Sequence, residues 1–222
     1  MTESPNGRLV VRLRGATVML DRFPALARCD FDAYESEVVF VQGPNGSGKT
    51  TLLRLLGGLV EAMSGSVLVF GRDPKAEARA IRREVSYLAH SYQMYEDLSG
   101  RENLEFFAVA AGCDLDDAIE WAQRLGLATR DLHARFRVLS AGQRKKISAA
   151  IALSRRTELL LIDEPHALLD QVSKATLDRG FAEAAQAGKT VIVASHELDR
   201  ISALATRRYR MSNGSATLIG SL

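Results

Sequence analysis

Two kinds of periodicity divide the chain. Continuous apolar runs at 38–41, 85–88, 159–162 and 190–194 predict buried strands, because a parallel strand covered by helices on both faces has no polar side. Helical patterns fall at 75–83, 101–111, 115–125, 143–154, 173–187 and 198–204, with Ser99 and Asp114 as candidate N-caps. Shorter alternating pieces at 9–13, 17–20 and 29–31, broken by Gly15 and Pro24, predict an antiparallel edge. A further strand is expected at 66–70, and strands at 207–211 and 216–219 flank Asn213-Gly214, a hairpin signal. The resulting expectation is an α/β fold in one domain over 1–222. It has a mainly parallel core sheet, an N-terminal antiparallel β subdomain, and a helical subdomain at about 91–155 inserted into the core.

The strand at 38–41 runs into GPNGSGKTT and then a helical LLRLL. Gly43, Gly46 and Gly48 let the backbone reach positive φ and approach a ligand, so that successive N–H groups of Asn45, Gly46, Ser47 and Gly48, after the turn at Gly43-Pro44, converge on one anion. The helix starting near Lys49 adds its unpaired N–H groups at the same place. This is a phosphate cradle: Lys49 is placed for β and γ phosphates, and the Thr50 hydroxyl, followed by Thr51, for Mg²⁺. A second piece of chemistry stands at the carboxyl end of the strand at 159–162, where Asp163 and Glu164 place two carboxylates at the edge at which open α/β sheets bind ligands. Asp163 suits Mg²⁺ and Glu164 suits a general base acting on water.

Composition removes several other classes. With 222 residues, 46% of them hydrophobic and 25% charged, the chain is long enough for one sizeable core and is not of a disordered type. The net charge of +2 gives no electrostatic case for nucleic acid. Basic clusters at 72–83 and 207–210 read as solvated faces. Cys29 and Cys113 are not spaced as metal ligands and read as reduced thiols. No secretory leader is expected from the polar first eight residues, and no stretch approaches the ~20 apolar residues of a membrane span.

The order of the motifs resembles one family. Leu139-Ser140-Ala141-Gly142-Gln143 is similar to the LSGGQ signature of ABC ATPases, with alanine for the middle glycine. The phosphate loop, the acidic strand end, a D-loop at Ala167-Leu168-Leu169-Asp170 and a switch histidine at His196 stand in the family's order around it. The resemblance implies an ATPase using ATP and Mg²⁺, with Ser140, Gly142 and Gln143 closing over the ATP of a second ATP-binding subunit in a head-to-tail dimer. It also implies that His196 meets the γ-phosphate. Where the family has a glutamine after the strand at 85–88 this chain has His90, with Gln93 as the competing candidate; a histidine there can still hydrogen-bond an attacking or Mg²⁺-bound water. Phe23 is placed either to stack on adenine or to pack on the sheet.

The stretch HSYQMYED, from His90 to Asp97, carries exposed-type aromatics and a methionine that favour a protein contact. By resemblance it faces a membrane-spanning transporter subunit, which places the chain peripherally on the cytoplasmic face of the inner (plasma) membrane. LSAGQ and His90 are similar to the ATP-binding subunits of haem exporters in cytochrome c biogenesis. A drug or lipid exporter subunit and a soluble ABC ATPase scaffold are the alternatives.

Overall fold

The computed structural model describes residues 7–90, 94–196 and 203–221. Six strands form the central sheet: β3 (Val38–Gln42), β5 (Val85–Leu88), β6 (Leu159–Asp163), β7 (Thr190–Ser195), β8 (Arg207–Ser212) and β9 (Ser215–Ser221). Their order is β5-β6-β7-β3-β8-β9, parallel throughout except for the antiparallel β8–β9 hairpin. Strand alternation sorts their side chains onto two faces. Val38, Phe40, Leu160, Ile162, Val191 and Val193 belong to one buried cluster, with the helical part of the chain. Val39, Val41, Leu159, Leu161, Ile192 and Ala194 belong to another, beneath the second sheet and helix α1 (Lys49–Leu56). Both faces are covered, which is why these strands carry no polar side.

The second sheet is antiparallel, in the order β2-β1-β4, from β1 (Leu9–Leu20), β2 (Phe23–Tyr34) and β4 (Ser64–Val69). Here two expected breaks are not breaks. Gly15 lies inside β1, where register shifts between Leu13 and Ala16 and between Ala16 and Val18 accommodate it as an irregularity in a continuous ladder. Pro24 lies inside β2, an edge strand, near the turn end where it pairs with Met19, and an edge position tolerates a missing donor.

Helix α2 (Pro74–Glu84) precedes β5, capped by Asp73 and opened by a proline at its first turn. Between β5 and β6 lie α3 (Gly100–Ala111), α4 (Leu115–Arg124), α5 (Thr129–His133), a 3₁₀ turn at Phe136–Val138, and α6 (Ala141–Ser154). Ser99 and Asp114 cap α3 and α4 as expected, Ser99 in a full capping box with Glu102. Helix α6 begins two residues earlier than its apolar period suggests, because the cap falls on Ser140. Helix α7 (Gln171–Gln186) joins β6 to β7. Most of the helix expected at 198–204 lies outside the described residues. Cys29 and Cys113 are free, and burial pushes the Cys29 thiol up to about 11.

The tract at 207–210 is corrected. Arg207 and Tyr209 face inward and Arg208 and Arg210 outward. Arg207 is buried against Glu37 in a two-pronged ion pair, with Nε and Nη2 2.9–3.0 Å from the carboxylate oxygens. Tyr209 packs on Phe31 with ring centroids 4.4 Å apart. Only half of this tract is a solvated face.

Candidate functional site

The phosphate loop is held open by its neighbours. Gly48, the N-cap of α1, has φ +103°, and a Cβ there would stand 2.5 Å from the Ala25 carbonyl oxygen. At Gly43 a Cβ would stand 2.5 Å from the Met211 carbonyl oxygen. Only glycine fits either place. The carbonyl of Ser47 accepts from the Gly214 N–H at 3.1 Å, and Gly214 in turn accepts from Ala27 at 3.0 Å, so the hairpin turn braces the loop against β2. Sequence reading found the turn but not this support.

The loop opens on a cavity of 540 Å³ whose lining includes Asn45 to Thr51, Tyr87, Ala89, His90, Asp163, Glu164, Ala167 and His196, together with Leu20 and Ala25. Of the expected residues, Asn45 to Thr51, the two acids, His90 and His196 thus meet in one place, while Gly43, Pro44, Ser140, Gly142 and Gln143 do not line it. Lys49 is buried; its Nζ donates to the carbonyls of Gly43 at 2.7 Å and Pro44 at 3.2 Å, and lies 3.7 Å from Glu164 Oε1. Thr50 donates its hydroxyl to Asp163 Oδ2 at 2.8 Å. Asp163 Oδ1 is buried with no partner, so a hydroxyl and a carboxylate come together with one oxygen unspent. That hard-oxygen pair fits Mg²⁺, which takes few protein ligands beside phosphate and water.

Glu164 sits at φ +46°, a left-handed conformation unusual for glutamate. Its Oε2 accepts from Ser195 Oγ at 3.0 Å and faces His196 Nδ1 at 2.9 Å. Burial pushes this carboxyl up, but the bonds from His196 and Ser195 and the charges of His196 and Lys49 outweigh it and hold it below the usual range. For Asp163 burial dominates and raises the carboxyl, with the Thr50 bond opposing. The two adjacent acids are thereby set apart, the outer one the more readily ionised. Ser195 and Tyr87 were not singled out from sequence; Ser195 ends β7 and Tyr87 stands one residue before the end of β5, and the strand boundaries were the available signal.

Ser140 and Gln143 form a reciprocal capping box at the start of α6, with Gln143 N–H donating to Ser140 Oγ at 3.2 Å and Ser140 N–H to Gln143 Oε1 at 2.8 Å. The Gln143 N–H is therefore spent on the cap, leaving the turn with less to offer an anion than the sequence suggests. Ser140 and Ala141 are exposed and lie apart from the cavity. Phe23 is 78% exposed and does not pack on the sheet; it is not among the residues lining the cavity. Gln93 lies outside the described residues.

A family profile described as ABC transporter matches residues 26–167. The chain belongs to the ABC transporter family. It is 35% identical to a cytochrome c biogenesis ATP-binding export protein of Nitrosomonas europaea over 89% of this chain and 93% of that protein. It is 32% identical to a glutamine transport ATP-binding protein of Escherichia coli over 85% and 82%. A macrolide export ATP-binding/permease protein of Marinobacter nauticus matches at 33%, where this chain spans 31% of the relative's length. In fold the chain resembles the ATP-binding subunit of an ABC transporter, with TM-score 0.85 at 23% identity over 96% of this chain and 90% of that one. It also resembles a dimeric ATP-binding cassette bound to ADP and Pi, with TM-score 0.84 at 24% identity over 93% and 96%. The ABC transporter family thus gives this chain its coarse function: an ATP-binding subunit and an ATPase, with the P-loop architecture expected from the sequence.

Proposed function

We propose that this chain powers export through a separate membrane-spanning chain, and that its cargo is haem for cytochrome c biogenesis. The match to the Nitrosomonas export protein carries this reading, because it runs through 93% of that relative. His90 on the cavity wall and the LSAGQ turn at the head of α6 support it. The macrolide exporter relative favours a second reading, a drug or lipid exporter subunit.

The site divides the work of hydrolysis. The backbone from Gly43 to Thr51 cradles the triphosphate, and Lys49 turns from the loop carbonyls to its β and γ oxygens. Thr50 and Asp163 would hold Mg²⁺, which when bound neutralises charge on the phosphates. Glu164, ionised and aimed by Ser195 and His196, accepts a proton from the water attacking the γ-phosphorus. His196 and His90 hold that water and the γ-phosphate in line. Ser140, Gly142 and Gln143 meet the nucleotide of a second copy in a head-to-tail dimer.

The membrane chain docks beside residues 90–97. There Met94 packs inward, while Tyr95 stays exposed with its ring edge-on to Phe106 at 4.8 Å. Asn103 clamps Tyr95, accepting its N–H at 2.9 Å and donating to its carbonyl at 3.0 Å. No described helix is long and apolar enough to cross a membrane, so docking supplies the peripheral position in this reading. Deleting the gene should abolish covalent haem attachment to c-type cytochromes, seen as loss of haem-stained bands, with wild type restoring them and Glu164→Gln failing to. Normal cytochromes in the deletion strain would end the haem reading.

A further inference from the structure

Lys145 is the anomaly of α6. It is a lysine with 1% exposure, two residues beyond the signature turn, among the largest fully buried side chains of the molecule. A buried ammonium is costly unless it is paired and hydrogen-bonded. Its Nζ donates to the carbonyl of Ala89 at 3.4 Å, one residue past the end of β5. Burial pushes the group down to about 8, against the opposing fields of Asp163 and Glu164. Ala89 is a sensitive place to hold, because it lines both the nucleotide cavity and the adjoining 580 Å³ groove that also contains Met94 and Phe107. A second bond, from Ser86 Oγ to the Ala152 carbonyl at 2.9 Å, already fixes β5 to α6 two turns away. Lys145 is therefore not needed to attach the strand; it fixes the first carbonyl past the strand to the first turns of the helix.

We propose that Lys145 is a positioning residue that couples the signature turn of this chain to its own nucleotide cavity through the backbone of Ala89 and His90. The inference rests on the head-to-tail reading, in which Ser140 to Gln143 contact the neighbour's ATP. When that turn shifts, the rigid first turns of α6 carry Lys145 with them, and the Ala89 carbonyl follows. The two ATP sites of a dimer then sense each other through each chain's own lysine.

The test compares the purified wild type with Lys145→Met, Lys145→Gln and Glu164→Gln, measuring binding of a fluorescent ATP analogue, steady-state ATPase and Tm. Methionine fills the volume without donor or charge, and glutamine keeps a donor. Lys145→Met is expected to lower kcat about tenfold with nucleotide Kd within about twofold, while Tm rises because a buried charge has gone. That rise should be largest below pH 8 and shrink as the pH climbs toward the usual lysine value of 10.5. Lys145→Gln should keep kcat within about threefold of wild type. Unchanged kcat in Lys145→Met, a fall of Tm alongside kcat, or a glutamine variant as slow as the methionine one would each overturn the proposal. If Glu164→Gln hydrolyses ATP like wild type, the fault lies in the reading of the site instead.

Discussion

The loop at 43–50 is gripped by three other parts of the chain, whereas the turn at 140–143 is gripped mostly by itself. Met211, Ala25 and Gly214, from two different sheets, close on the first. The second depends on its capping box, on Arg144 donating to the carbonyls of Leu139 at 3.1 Å and Arg137 at 2.6 Å, and on Gly142 lying against Leu168. One cradle is finished within the chain and sits in a cavity; the other ends at an exposed serine and alanine. The difference teaches how labour is divided. A preformed anion site binds without help, and an open helix N-terminus becomes a site only when something carries a ligand to it.

The largest effect should come from disturbing the finished cradle. Gly48→Ala places a Cβ 2.5 Å from a backbone oxygen at φ +103°, so the loop must move and ATP affinity should fall about a hundredfold, read by equilibrium binding. Gly142→Ala puts its Cβ 2.8 Å from the Leu168 carbonyl; it should leave that affinity within about twofold while slowing ATPase about tenfold. Equal losses of affinity in the two variants would erase the contrast. A smaller effect tests the brace. Gly214→Ala, at φ +78° with its Cβ 2.9 Å from Ala27 N, should cost about 1–3 kcal/mol of stability, measured by denaturant unfolding, with a modest weakening of ATP binding. Unaltered stability would mean the hairpin turn does not support the loop.

How far these features were legible depended on whether their cause was local. The phosphate loop and the paired acids are local patterns of glycine, apolar run and carboxylate, and they stand together in the cavity as expected. The breaks expected at Gly15 and Pro24 did not occur, because ladder pairing with neighbouring strands overrides local turn preference. Arg207 read as solvated because its partner, Glu37, is 170 residues away, although the inward alternation of Arg207, Tyr209 and Met211 was visible in the sequence. Most hidden were groups whose meaning is tertiary. His166, 1% exposed, joins Asp178 of α7 through Nε2 at 2.7 Å, and Lys145 reaches across to β5. Neither has a neighbour in sequence that announces it.

The central claim is that the open cradle of one chain completes the finished cradle of another. Light scattering on Glu164→Gln, with and without Mg-ATP, tests it most directly, with Ala141→Glu added as the decisive change. A glutamate in the first turn of α6 favours its own helix dipole but opposes a triphosphate. The account predicts a monomer without ATP, a dimer with ATP, and a monomer that still binds ATP once Ala141→Glu is added. A dimer that survives Ala141→Glu unchanged would contradict it.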